Sequence, residues 1–403
     1  MVVGGGGREQ ALYWKLAQSA RIGDLHLVPV ADALAFAADP ENNIHFAVIG
    51  PDDALADGMV DKLTGLGVPA FGPSKKAAQI EASKAFAKQV MDENGIPTAQ
   101  FGTFTDPAAA HAHLEANPGP KYVKASGLAL GKGALECLDD AAAHTAVDDL
   151  MVRRIFGEAG DEVVIEDYLQ GRELSLHALA DGQNYLMFQL AADHKKALEG
   201  NKGLNTGGMG TLSPVPGFSE ADVTEAGLVV VKPTLAALER AGAPFQGLLY
   251  PGVIFNGLHR VLEFNGRFGD TETQTYMRRL DSDLLEALIA TVTHRLDKVK
   301  LDWSDKFAVC IVAASGGYPG SYEKGKRITG VDRAEAKPGI KVFLAGAAEQ
   351  NGELFTNGGR VLGVTAMGDT LAEALDAGYG AMEEIQFEGK HVRGDIGQTF
   401  LTV

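Results

Sequence analysis

The stretch "EFNGRFGDTETQ" at residues 263–274 is decisive, because it places ionisable groups directly after apolar sequence. The preceding residues 247–262 predict a hairpin that turns at Asn256-Gly257. Glu263 and Asn265 are two positions apart on its second strand, so they share one face. A carboxylate and an amide oxygen on one face suit Mg²⁺, and Arg267 could clamp a carboxylate or a phosphate. The alternative is a strand end held by salt bridges.

Composition limits the classes of protein to consider. The 403 residues predict two to four domains at about 100–200 residues each. The formal net charge of −17 disfavours non-specific binding to nucleic acid. Two distant cysteines predict neither a disulfide framework nor a thiolate metal site, which fits a reducing cytosol. We expect no signal peptide and no transmembrane helix.

The start of the chain has the pattern of a strand, a glycine-rich turn and a helix. An apolar pair runs into four glycines, and "REQALYWKLAQSA" follows with roughly helical spacing of apolar residues. Such a turn leaves free N–H groups at a helix N-terminus, where anions bind. The alternation continues through a strand at 44–50, which predicts a parallel α/β domain with its ligand at the strand C-termini.

The next part of the chain predicts one long helix and a hairpin. Residues 74–95 form a long amphipathic pattern, with Ser74 expected as the N-cap and Gly95 as the C-cap. Two strands within 121–137 flank the glycine-rich "SGLALGKG" at 126–133. This segment, with Lys124 just before it, could close on phosphates, and a simple turn is the alternative.

Two further polar segments follow. "VVIEDYLQGRE" at 163–173 could offer groups to an adenine edge and a ribose, although a solvated strand end is favoured when it is taken alone. Residues 193–210 are rich in glycine and charge, so we expect a long loop, either mobile or functional, and not a core element. Its "NTGGMG" allows close approach to the backbone.

These segments together resemble the phosphoribosylamine–glycine ligase family of the ATP-grasp superfamily, also called glycinamide ribonucleotide synthetases. The similarity runs in order over nearly the whole chain. It includes the segments at 71–88, 124–133, 205–210, 263–274, 317–330, 352–375 and 387–397.

The resemblance implies a multidomain fold of α/β and α+β type. It comprises an N-terminal parallel α/β (pre-ATP-grasp) domain over 1–83 and an ATP-grasp domain over 84–290. A mobile nucleotide lid is expected at about 103–170. A small β-rich C-terminal domain is expected over 291–403.

The implied activity is ligation of glycine to 5-phosphoribosylamine through a glycyl phosphate. The expected products are glycinamide ribonucleotide, ADP and phosphate, in de novo purine biosynthesis. ATP and Mg²⁺ (or Mn²⁺) are the implied cofactors. A cytoplasmic monomer or homodimer is expected, with small-molecule substrates and neither nucleic acid nor membrane as a partner.

The resemblance also carries site residues over to this sequence, in four groups. The nucleotide-binding residues are Lys84, Lys124, Gly127, Gly131, Lys132, Gly133, Glu166, Asp167, Tyr168, Leu169 and Glu173. The substrate-binding residues are Gly5, Gly6, Gly7, Arg8, Glu9, Asp52, Gly207 and Gly208. The catalytic residues are Asp193, Lys195, Asn205 and Arg267. The metal ligands are Glu263 and Asn265.

Some positions depart from the family pattern, mostly on the amine-substrate side. Gln10 replaces the usual His, Pro29-Val30-Ala31 replaces a "PGN" turn, and the stretch after it is shorter. Asn201 and Lys202 replace Asp and Thr in the long loop. An ATP-grasp ligase with a different amine acceptor is therefore the second hypothesis. A homologue that only binds nucleotide is the third, and the lysines and metal ligands that remain argue against it.

Overall fold

The computed structural model describes residues 1–129 and 131–401, so Leu130 of the predicted hairpin and the last two residues lie outside the described part. The first 71 residues form a parallel sheet with the strand order β2-β1-β3-β4. The apolar Val2 and Val3 are fully buried in the central strand, which confirms the predicted parallel α/β unit. Its elements are β1 (Val2–Val3), α1 (Gly7–Leu16), β2 (Leu27–Val28), α2 (Ala33–Ala38), β3 (Ala47–Ile49), α3 (Asp52–Ala56), α4 (Met59–Gly65) and β4 (Ala70–Phe71).

The single helix predicted over 74–95 is wrong. The segment contains two helices, α5 (Gln79–Ala82) and α6 (Lys84–Glu93), separated at Ser83. Ser83 has extended backbone, and its hydroxyl accepts a hydrogen bond from Phe86 N–H at 3.1 Å, which makes it the N-cap of α6. Gly95 adopts the expected left-handed conformation just beyond α6, with φ of +64°.

Residues 101–167 form a separate antiparallel sheet with the order β5-β8-β6-β7. The predicted hairpin over 121–137 is confirmed as β6 paired with β7. Two helices cover this sheet, and their apolar side chains share a core with it. The elements are β5 (Phe101–Phe104), α7 (Pro107–Ala116), β6 (Lys121–Ala125), β7 (Ala134–Cys137), α8 (Asp140–Val147) and β8 (Val163–Asp167).

The central region is built around a second antiparallel sheet, in which a hairpin of two long strands forms one edge. The hairpin turns at the predicted Asn256-Gly257, with Leu258 as a third residue of the turn, and Gly257 has φ of +94°. The elements are β9 (Arg172–Ser175), β10 (Ala178–Asp181), β11 (Tyr185–Met187), β12 (Ala192–Asp193), β13 (Lys196–Leu198), β14 (Lys202–Asn205), β15 (Gly210–Ser213), α9 (Glu220–Ala226), α10 (Lys232–Arg240), β16 (Gln246–Phe255), β17 (His259–Asn265), α11 (Glu272–Arg279) and α12 (Leu284–Val292).

The long loop predicted over 193–210 is also wrong. β13 and β14 within it pair as a two-stranded antiparallel hairpin, and the segment ends by entering β15. The many glycines misled the prediction. Gly200 and Gly203 have positive φ and shape the hairpin, with φ of +67° and +81°.

The C-terminal region is rich in strands, as predicted, and it continues a sheet of the central region. β15 pairs with the first C-terminal strand, so one sheet has the order β12-β15-β18-β23-β20. The domain boundaries near 84 and 290 stay predictions. The elements are β18 (Phe307–Ala314), β19 (Arg327–Ile328), α13 (Val331–Glu335), β20 (Lys341–Leu344), β21 (Ala347–Gln350), β22 (Glu353–Thr356), β23 (Arg360–Gly368) and α14 (Leu371–Met382).

Among the helices of residues 1–129 and 131–401, none has both the length and the apolar character needed to span a membrane.

Candidate active site

A cleft of about 1150 Å³ lies where all these regions meet. It is bounded by Arg8 and Asp52 of the N-terminal region, the β6–β7 hairpin, the end of β17 and residues of the C-terminal region. The predicted site residues that line it are Arg8, Asp52, Lys84, Lys124, Gly131, Lys132, Gly133, Tyr168, Leu169, Glu173, Asp193, Lys195, Asn205, Gly207, Glu263, Asn265 and Arg267. The predicted residues outside its lining are Gly5, Gly6, Gly7, Glu9, Gly127, Glu166, Asp167 and Gly208.

The end of β17 brings Glu263 to a cluster of lysines. Lys195 Nζ lies 3.4 Å from a Glu263 carboxylate oxygen and 2.8 Å from one of Glu173. Burial opposes ionisation of Glu263, but the charge of Lys195, followed by those of Lys124 and Lys84, lowers its pKa to about 2. Glu263 is therefore an anion at physiological pH, as a metal ligand must be.

Arg267 is held on two sides by neighbouring side chains. Its Nε lies 3.2 Å from a carboxylate oxygen of Glu81, and one of its terminal nitrogens donates to Asn265 Oδ1 at 2.9 Å. Glu81 also accepts from Gly266 N–H at 2.7 Å, so it fixes the turn on which Arg267 stands. Sequence analysis missed Glu81, because α5 lies far away along the chain.

Glu166 is buried between two lysines, out of contact with the cleft. Its carboxylate forms ion pairs with Lys88 and Lys124, and these cations hold its pKa below the usual range although burial opposes this. Lys124 also donates to Leu262 O at 3.1 Å, and this contact joins β6 to β17. The ion pair with Glu166 and the hydrogen bond to Leu262 O therefore hold Lys124 in place at the cleft wall.

The β6–β7 hairpin contacts helix α6 on one side of the cleft and the C-terminal region on the other. Lys84 Nζ donates to Gly127 O at 3.2 Å, and Lys132 Nζ donates to Pro319 O at 2.9 Å in the C-terminal region. Lys196 Nζ also reaches Glu136 of β7 at 2.8 Å. These contacts hold the hairpin across the cleft.

The N-terminal glycine turn is braced by Glu9. Its carboxylate accepts from Gly6 N–H at 2.7 Å and pairs with Arg8 at 2.6 Å, and only 2% of Glu9 is exposed. Glu9 therefore shapes the turn, while Arg8 and Asp52 line the cleft. Burial raises the pKa of Asp52, but the positive charges of Arg267 and then of Arg8 lower it. The resulting pKa lies below the ordinary value of an aspartate.

The opposite wall carries Asp193 and the loop at 207–208. Burial, followed by the charge of Glu272, holds the pKa of Asp193 well above its usual value. Gly208 has φ of +112°, and a Cβ there would lie 2.8 Å from Asp193 Oδ1. The loop therefore requires glycine at this position to pass the carboxylate.

Two C-terminal residues complete this wall, and sequence analysis named neither as a site residue. Arg360 donates to Gly207 O at 2.6 Å and pairs with the Asp270 carboxylate at 2.8 Å. The Tyr318 hydroxyl accepts from Gly207 N–H at 3.1 Å. Both lie in segments that carried the family resemblance, but only the fold brings them to the cleft.

Comparison with known proteins assigns the three regions to domains of one protein family. Family models described as the N domain, the ATP-grasp (A) domain and the C domain of phosphoribosylglycinamide synthetase match residues 1–81, 82–273 and 308–399. The chain belongs to the phosphoribosylglycinamide synthetase family. The family resemblance found in the sequence and the expected ATP-grasp fold are thereby confirmed.

Full-length relatives agree with this membership of the phosphoribosylglycinamide synthetase family. The chain is 42% identical to a phosphoribosylamine–glycine ligase of Neisseria meningitidis serogroup A, with 98% of each chain covered. It is 43% identical to one of Caulobacter vibrioides, with 98% of this chain and 97% of that one covered.

Solved structures agree as well. A phosphoribosylamine–glycine ligase of Thermotoga maritima superposes with a TM-score of 0.83 at 31% identity, covering 98% of each chain. A biotin carboxylase of Campylobacter jejuni superposes with a TM-score of 0.70 at 14% identity, covering 97% of this chain and 92% of that one, and this likeness concerns the fold alone. An ATP-grasp fold implies the use of ATP with a divalent metal.

Proposed function

We propose that this chain is a carbon–nitrogen ligase that joins glycine to 5-phosphoribosylamine in de novo purine biosynthesis. ATP is split to ADP and phosphate, a glycyl phosphate is the intermediate, and glycinamide ribonucleotide is the product. The observation that carries the proposal is that all three regions contribute charged side chains to the same cleft. Arg8 of the N-terminal region, Lys124 of the central region and Arg360 of the C-terminal region all line it.

The ATP side of the cleft supplies positive charge. Lys84, Lys124 and Lys132 neutralise the nucleotide phosphates, and the buried ion pairs of Glu166 keep Lys124 in position. Glu173 and the segment at Tyr168–Leu169 line the cleft beside them, where they hold the ribose and the adenine. Transfer of the γ-phosphoryl group to the glycine carboxylate creates the leaving group that an amide synthesis needs.

The second step forms the carbon–nitrogen bond. The amine nitrogen attacks the carbonyl carbon of the glycyl phosphate, the bond from that carbon to the phosphate oxygen breaks, and phosphate leaves. Lys195 and Arg267 balance the negative charge that develops. Asp193 takes the proton that the amine loses, a role that its raised pKa favours.

The residues at the end of β17 fit a divalent cation, Mg²⁺ or Mn²⁺. Glu263 is ionised, and Asn265 lies two residues along the same strand. Residues 1–129 and 131–401 contain no group of three or more His, Cys, Asp or Glu side chains suited to a metal. A site with few protein ligands suits Mg²⁺, which takes its other ligands from phosphates and water. When bound, the cation supplies charge neutralisation at the phosphates.

The proposal also covers the class of substrate, the cellular compartment and the oligomeric state. We propose that the substrates are small molecules and that the protein acts in the cytoplasm as a monomer or a homodimer. The two cysteines, Cys137 and Cys310, are buried and free, which suits a reducing compartment.

ADP release with Mg-ATP and glycine tests the proposal, with and without freshly generated phosphoribosylamine. We expect strong release only when both substrates are present, and glycinamide ribonucleotide by mass spectrometry. Glycine-dependent release that phosphoribosylamine leaves unchanged would instead support an ATP-grasp ligase for another amine. Nucleotide binding without turnover under any of these conditions would support the non-catalytic homologue.

A further inference from the structure

The C-terminal segment at residues 391–397, named here the C-terminal strap, runs along the segment at 194–200. This second segment contains Lys195, the residue between Glu173 and Glu263. Five hydrogen bonds join the two segments. They are His391 Nε2–H to Ala197 O at 2.7 Å, Arg393 Nη1–H to Lys196 O at 2.8 Å, Gly394 N–H to Glu199 Oε1 at 2.9 Å, Gly200 N–H to Asp395 Oδ2 at 2.8 Å, and Gly397 N–H to His194 Nε2 at 3.0 Å.

Arg393 is the most deeply buried charged side chain of the strap. Only 2% of Arg393 is exposed, and its guanidinium forms two parallel hydrogen bonds of 2.8 Å with the carboxylate of Asp395. A bidentate pair of this kind fixes the orientation of both partners. The nitrogen that remains free of Asp395 donates to the carbonyl of Lys196, directly after Lys195. Arg393 therefore sets the backbone on one side of Lys195.

His194 fixes the backbone on the other side. Its Nδ1–H donates to Gly210 O at 3.0 Å, while its Nε2 accepts from Gly397 N–H. This pairing requires a neutral ring, and burial lowers the pKa of His194 to about 4. Both neighbours of Lys195 are thus tied to the strap.

The side chain of Lys195 depends on this backbone placement. Its ammonium group bridges two carboxylates that stand on separate strands, Glu173 on β9 and Glu263 on β17. A displaced Lys195 backbone would lengthen at least one of these contacts. A misplacement of about 1 Å at a reacting group can cost on the order of 100-fold in rate.

We propose that the C-terminal strap is a positioning element for Lys195, with Arg393 as its principal positioning residue. The inference rests on the proposed function, because it assigns Lys195 a part in the reaction. It gives the C-terminal region a task in catalysis that neither Tyr318 nor Arg360 performs. The strap acts on the cleft through the backbone at 194–196.

A double-mutant cycle between Arg393→Lys and Lys195→Met tests the inference. Single-turnover ADP release at excess enzyme is measured, because ATP cleavage is common to phosphoribosylamine and to any other amine acceptor. Arg393→Lys keeps the buried charge but loses the bidentate geometry. We expect it to slow release by about 10- to 100-fold in the wild-type background and by less than about twofold in the Lys195→Met background.

Lys390→Ala is the matched control. Lys390 stands directly before the strap, and its ammonium donates to Met382 O and Ile385 O, away from the segment at 194–200. We expect Lys390→Ala to lower the midpoint of thermal unfolding and to leave single-turnover release unchanged. If Arg393→Lys does not fold, His391→Ala replaces it in the cycle, because it removes the separate contact with Ala197 O.

Equal losses from Arg393→Lys in the two backgrounds would overturn the inference, as would a rate loss from Lys390→Ala of the same size. Either result would mean that the strap only stabilises the fold. Ligation of a different amine is a distinguishable result, since the wild-type protein would then form no glycinamide ribonucleotide while the cycle in ADP release still gives its answer. A wild-type protein that binds nucleotide but releases no ADP would overturn both the proposed function and this inference.

Discussion

Replacing Glu263 by Gln is the sharpest perturbation of the cleft, because it removes a charge and almost no volume. Electrostatic stabilisation by a bound cation is worth several kcal/mol in the transition state. Loss of about 2–4 kcal/mol corresponds to a fall in kcat of about 30- to 1,000-fold. We also expect a higher Mg²⁺ concentration for half-maximal rate.

The effect on folding should be much smaller. The ion pair with Lys195 spans 3.4 Å, and about 5 kcal/mol of Coulomb attraction follows at an effective dielectric constant near 20. The two side chains remain 25% and 31% exposed, however, and net values for solvent-screened pairs are about 0–1 kcal/mol. A change of less than about 1 kcal/mol in the free energy of unfolding is therefore expected for Glu263→Gln.

The pH dependence of stability provides a second readout. The pKa of Glu263 is about 2 in the folded chain, below its ordinary value of 4.5. The stability that its ionisation contributes is fully present above about pH 4.5 and is lost as the pH falls toward 2. Urea unfolding between these pH values should therefore show a shallower loss of stability for Glu263→Gln than for the wild-type protein.

Glu173→Gln is the matched control, because Glu173 shares Lys195 as its partner and lies outside the proposed metal site. The assay is glycine-dependent ADP release over a Mg²⁺ titration. Wild-type kcat and an unchanged Mg²⁺ dependence in Glu263→Gln would refute the assignment of Glu263 to the metal. An equal shift in Mg²⁺ dependence in Glu173→Gln would attribute the effect to the lost partner of Lys195.

Three further substitutions test other contacts. In Arg267→Lys, one ammonium group cannot contact both Glu81 and Asn265 as the guanidinium does, so we expect kcat with glycine to fall by about 100-fold. Unchanged KM and kcat would remove Arg267 from the reaction. Lys88→Met breaks one of the buried ion pairs of Glu166, and urea unfolding should show a loss of about 3 kcal/mol, so wild-type stability would contradict the ion-pair assignment. Ser83→Ala removes the N-cap of α6 at a cost of about 1 kcal/mol; no change in unfolding would mean that water replaces the cap.

Structural elements that depend on residues close together in the chain could be predicted well from the sequence. The apolar Val2-Val3, the four glycines and the helix after them predict the strand, turn and helix that the structure contains. The hairpin that carries Glu263 and Asn265 was predicted because Asn-Gly marks a turn and the alternation marks a strand. Both signals lie within a few residues of the feature that they predict.

Two errors share one cause, which is tertiary competition for the backbone. The pattern at 74–95 is helical throughout, but Lys84 N–H donates to Ser126 O at 2.9 Å, and this contact draws the chain out of the helix at Ser83. The glycines at 193–210 suggested an irregular loop. The C-terminal strap instead supplies partners to that segment, and it folds as a hairpin.

The sequence by itself determined the chemical types available and the elements that carry them. These are a carboxylate and an amide on one strand face, lysines beside a glycine-rich turn, and a glycine turn before a helix. Only the tertiary structure decided which of these groups meet. Glu81 reaches Arg267 over 186 positions, and Arg360 reaches Gly207 over 153. Such pairs leave no periodic signal in the chain, because their geometry arises from how three regions pack around one cleft.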